Sequence, residues 1–131
     1  MGLAMNFTVT LSKNRDYFFI ETSDKTSADD IEKFLTDIFS DSSWKNGMHL
    51  LFDNRKENLS ELSNIEVEII AGKFLQFNEY LKNSKIALVM PKDLSYGIAR
   101  MWETYVSLNN ASFETQVFRS VKNAREWIEN N

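Results

Sequence analysis

The chain has 131 residues, of which 43% are hydrophobic and 13% aromatic, enough for one sizeable core and too few for two domains of ordinary size. Its formal net charge of −4 argues against binding nucleic acid, because a phosphate-binding face needs a surplus of lysine and arginine. With no cysteine it can form no disulfide, thiolate metal site or cysteine nucleophile, and no apolar run reaches bilayer length, so a cytoplasmic domain without an integral membrane segment is expected.

Met5 reads as the natural start, with residues 1–5 a disordered or added N-terminus to a single domain over 1–131. Phe7, Val9 and Leu11 alternate with polar residues, the period-two pattern of a half-buried strand. A polar turn at 13–16 and a denser apolar strand at 17–20 complete an opening β-hairpin. Thr26 or Ser27 caps a helix with Ala28, Ile31, Phe34, Leu35, Ile38 and Phe39 at helical spacing and Asp29 and Asp30 in its first turn. Residues 48–52 read as a buried strand with Asp53 at its carboxyl end, followed by a polar loop over 54–62. Ser63 and Glu66 stand in capping-box spacing at the head of a helix predicted over 63–83, the longest in the chain.

Residues 85–90 form the clearest buried strand, and the single proline, Pro91, follows where a missing N–H does least harm. A third helix is predicted over 94–109, a fifth strand over 113–119 and a last helix carrying Val121, Ala124 and Ile128. The alternation predicts an α/β fold: a single mixed, mostly parallel five-stranded sheet with an N-terminal β-hairpin and about four helices.

This element order looks like the STAS domain of anti-sigma-factor antagonists. Three stretches are more specific: an apolar strand at 85–90 leading into Asp93-Leu94-Ser95-Tyr96-Gly97-Ile98-Ala99-Arg100-Met101, the strand end Val117-Phe118-Arg119, and Ala124-Arg125-Glu126-Trp127. They resemble the SpoIIAA-like group of bacterial STAS-related proteins. The resemblance implies the fold, a non-enzymatic role and a bacterial cytoplasmic setting, and some members of that group are suspected of holding apolar ligands. In STAS antagonists a phosphorylated serine lies in an Asp-Ser-Ser/Thr-Gly pattern; Ser63 and Ser60 occupy the comparable stretch here, with no glycine following. Either is a candidate phosphoacceptor, set against Ser63 as an ordinary helix cap.

The second helix is apolar on more than one side, through Ile65, Val67, Ile69, Ile70, Phe74, Phe77 and Tyr80. Its excess surface calls for a neighbouring helix, a homodimer face or a lipid-like ligand. On the third helix, Tyr96, Met101, Trp102 and Tyr105 gather near a strand's carboxyl end, where open α/β sheets bind ligands, and Arg100 offers a cation to an acidic group. With Phe74 and Phe77 they are the ligand- or partner-binding candidates.

His49 is read as a hydrogen-bonded strand residue, and at about 13 Å from Asp53 along one strand it can form no triad with it. No cofactor and no metal site are expected, since no second histidine or cysteine accompanies it. Asp53, Glu57 and Asp93 are the carboxylates a metal-dependent hydrolase would use, but no phosphate-cradling glycine motif joins them. The expectation is a non-enzymatic binding or signalling domain with no catalytic residues, acting through a protein partner, a homodimer face or a small-ligand surface. The alternatives are a carrier of a small apolar or lipid-like molecule and a hydrolase built on strand-end carboxylates.

Overall fold

The computed structural model describes residues 7–23, 27–57, 59, 62–92 and 96–130. In chain order the elements are β1 (Phe7–Leu11), β2 (Tyr17–Ser23), α1 (Ala28–Ser40), β3 (His49–Lys56), α2 (Asn64–Leu75), β4 (Lys85–Val89), α3 (Tyr96–Leu108), β5 (Glu114–Phe118) and α4 (Val121–Glu129). The strands lie in the sheet in the order β1-β2-β3-β4-β5, with β1 antiparallel to β2 and every later pair parallel. The expected mixed sheet with its opening hairpin is therefore what the chain forms.

Side chains alternate across the sheet, and the two sets meet different helices. Phe18, Ile20, Leu50, Phe52, Ile86 and Leu88 share one core with Ile31, Phe34, Leu35 and Ile38 of α1, Val67, Ala71 and Phe74 of α2, and Trp102 and Val106 of α3. Tyr17, Leu51, Ala87 and Val89 belong to a second, smaller core closed by Ala124 and Ile128 of α4. Since α2 packs against both α1 and α3, it is the middle helix of a three-helix layer.

Local chemistry fixes the boundaries. Ser27 caps α1 through its side chain and Asp30 returns the bond to the Ser27 N–H, a capping box; Thr26 lies outside the described residues. Gly47, at φ +89°, supplies the left-handed turn that brings the chain into β3.

Two sequence expectations are corrected. Helix two ends at Leu75 rather than Asn83, which makes it shorter than α1 and α3. Beyond it the chain tightens into turns: the N–H groups of Phe77, Asn78 and Tyr80 each bond a carbonyl three residues back, and Asn83 adopts a left-handed conformation. The apolar pattern survives because these turns still aim Leu81 into the core and lay Tyr80 on Phe39. The second correction concerns β3, which runs on through Asn54, Arg55 and Lys56 rather than stopping at Asp53, with Lys56 reaching Ser23 of β2. Polar residues continue the strand because β2 offers them a pairing edge.

Candidate functional site

Toward the carboxyl ends of β2 and β3, the positions facing the three-helix layer change from Ile20 and Phe52 to Thr22 and Asn54. Both polar residues are buried, with 2% and 7% of their surfaces exposed. They answer each other: the Thr22 hydroxyl donates to Asn54 Oδ1 at 2.8 Å. The Asn54 amide nitrogen points the other way, 3.6 Å from Met90 Sδ at the end of β4.

Above this floor the helices do not close completely. Ile31 of α1, Val67, Ile70 and Phe74 of α2, and Ile98, Ala99 and Trp102 of α3 roof an apolar cavity of about 90 Å³ whose floor includes Phe52, Asn54, Leu88 and Met90. That space exceeds what one water needs and approaches that of a benzene-sized void, so it suits a compact apolar group. Its walls are aromatic on one side: Phe74 meets Phe52 and Trp102 edge-on, at 5.6 and 5.3 Å between ring centroids. The Trp102 indole N–H is already satisfied, donating to Thr115 Oγ1 on β5 at 2.9 Å, so the indole offers the cavity only its ring.

Of the binding candidates named from sequence, Phe74 and Trp102 line this cavity, as do Val67 and Ile70 of the apolar second helix and the carboxylate residue Glu57. Arg100, Met101 and Tyr105 instead share an open groove with Glu68 and Leu108 on the outer side of α2 and α3. Phe77 lies apart, against Phe39 and Tyr80. The Tyr96 side chain, Ser60 and Asp93 fall outside the described residues. Ser63 is the N-cap of α2, accepting from the Glu66 N–H at 3.2 Å, while its own hydroxyl donates to the Glu66 carboxylate at 3.1 Å. A phosphate on Ser63 would meet that carboxylate at contact distance.

Asp53 is engaged by Arg55, whose guanidinium donates to both carboxylate oxygens at 2.8 Å and whose backbone N–H adds a third bond. Burial pushes this carboxyl up, and the Arg55 bonds together outweigh it and hold it below the ordinary range. His49 is half-buried and accepts the Lys85 N–H through Nδ1 at 2.9 Å. Burial, reinforced by the Lys85 charge, lowers its pKa, favouring the neutral ring that makes this bond. Among the described residues no group of three His, Cys, Asp or Glu side chains could hold a metal ion.

Asn54 and Met90 were not picked out as site residues by sequence reasoning. Asn54 carried a readable signal, since residues 50, 52 and 54 share one face and the last is polar where its predecessors are Leu and Phe.

No protein-family model and no curated protein matches the sequence. Among solved structures, the chain is similar to an uncharacterized protein of the DUF3478 family, with a SpoIIAA-like fold, from Shewanella loihica PV-4. The two share 16% identity with a TM-score of 0.57, over 98% of each chain. At this identity the likeness establishes a SpoIIAA-like α/β fold and nothing finer. No helix among the described residues is long and apolar enough to cross a membrane.

Proposed function

We propose that this is a non-enzymatic binding domain that takes a small apolar molecule, or the apolar end of a larger one, into the space between α2, α3 and the carboxyl end of the sheet. The supporting observation is the cavity itself, because close-packed cores leave few voids larger than a water molecule and this one is lined almost wholly by apolar side chains. The non-enzymatic reading rests on the commitment of both Asp53 carboxylate oxygens to Arg55. Methyl-selective NMR with methylenecyclopentane as probe tests it. Saturable shifts at Ile70, Leu88 and Val117, abolished by filling the space with Ala99→Leu, are expected. A silent spectrum across a panel of compact hydrocarbons would sink the proposal.

A second reading has its own support. Ile65 and Leu108 are 69% and 76% exposed, and with Ile69 they leave an apolar outer face on α2 and α3. Glu68 and Arg100 both line the groove of that face without pairing to each other, so two copies related by a two-fold axis could exchange these charges. The reading is therefore a homodimer through this face, and light scattering that returns a monomer mass at high concentration would defeat it.

A further inference from the structure

Among the described residues, the cavity has one side-chain hydrogen-bond donor that the protein leaves poorly used. Asn54 has two amide hydrogens, and the one contact its nitrogen makes among these residues is to a thioether at 3.6 Å, a weak acceptor that engages one hydrogen at most. The amide orientation follows from its other end. The Thr22 hydroxyl oxygen lies 2.8 Å from Asn54 Oδ1 and 3.3 Å from the Asp53 carbonyl oxygen, so its single proton goes to the nearer acceptor, which holds the amide oxygen toward Thr22 and turns the nitrogen toward Met90, a cavity-lining residue. A buried amide N–H without a good acceptor is unfavourable, and an oxygen placed beside it by a ligand would remove that penalty.

Resting on the binding reading above, we infer that the ligand is an uncharged compact apolar molecule carrying an acceptor oxygen, a carbonyl in the first instance, which receives a hydrogen bond from Asn54 Nδ2. The rest of the described lining agrees. Apart from Asn54 and Glu57 it is hydrocarbon, thioether or aromatic, and it contains no cation to receive a carboxylate or phosphate. Glu57 is itself an acceptor and has interactions of its own. Trp102 spends its N–H on Thr115, which leaves Asn54 as the donor in place.

The experiment compares cyclopentanone with methylenecyclopentane, near-isosteres that differ in C=O against C=CH₂, using wild type and Asn54→Leu. Because water solvates the ketone more strongly, the informative quantity is the ketone-to-hydrocarbon affinity ratio in wild type divided by that ratio in the variant. This quotient is expected to be about tenfold, the usual effect of supplying a partner to a buried donor. In wild type the Asn54 side-chain amide resonances should move with the ketone and stay still with the hydrocarbon, a readout that does not depend on the variant folding. A quotient near one with unmoved Asn54 resonances overturns the inference while hydrocarbon binding keeps the binding reading intact. Binding by neither probe overturns both, and tighter binding of cyclopentanecarboxylate than of the ketone overturns the uncharged class.

Discussion

Three helices cover one face of the sheet and a single helix covers the other, and the two layers are held by different chemistry. On the three-helix face a chain of aromatic contacts runs from Phe7 through Phe34, Phe52 and Phe74 to Trp102, and the space that remains lies at one end of it. On the other face the apolar set is small, and polar anchors assist it. The Lys85 amine donates to the carbonyls of Trp127 and Asn130 at 2.8 and 2.7 Å, closing the carboxyl end of α4, and lies over the Trp127 ring. The void lies in the thick layer, where aromatic rings span it rather than one short helix.

The sharpest way to break this comparison is to remove a link of the aromatic chain. Phe34→Ala should cost about 3–5 kcal/mol in urea unfolding, because the ring is fully buried and stacked on Phe7. A loss below that of an ordinary surface change would show that the thick layer is not the main support. On the thin face, Lys85→Met should cost about 1–2 kcal/mol and speed amide exchange in the last turn of α4. Unchanged exchange there would mean that apolar contact alone holds the helix.

A smaller effect of opposite sign is expected at Gly72 on α2, where an added Cβ would meet nothing within 4 Å. Gly72→Ala should raise stability by about 0.5–1 kcal/mol through helix propensity, and a loss instead would indicate a close neighbour over that surface. The smallest effect is the pH dependence of His49. Its folded pKa lies below its unfolded one, so its contribution is complete above about pH 6.5 and fades as the pH falls toward the folded value. His49→Asn keeps an acceptor for the Lys85 N–H, and the stability profile between pH 7 and 5 should flatten; an unaltered slope would assign it to other groups.

Most of the fold was legible in the sequence because hydrophobic period tracks burial: β1 alternates, β4 is continuously apolar, and α1 repeats at helical spacing between recognisable caps. The end of α2 was not legible. Phe77, Tyr80 and Leu81 stay in step with a helix although the backbone has already tightened into turns, and side-chain pattern does not distinguish the two conformations. Within the site, Phe74 and Trp102 were found from their size and position. Asn54 was missed because β3 had been ended one residue before it, so a polar residue on a buried face was taken for part of a loop. Phe77, Arg100, Met101 and Tyr105 lie away from the cavity because helix rotation and the turn after α2 send them elsewhere.

The strand order carries a consequence for assembly. Each strand is hydrogen-bonded to the one synthesised just before it, so every new βα unit docks on a platform already present and none must wait for a distant segment. The entropy of closing one crossover, such as Tyr17 to His49 or Lys85 to Glu114, recurs in similar loops rather than growing with chain length. A chain emerging from the ribosome can thus add its layers one at a time, and α4 comes last.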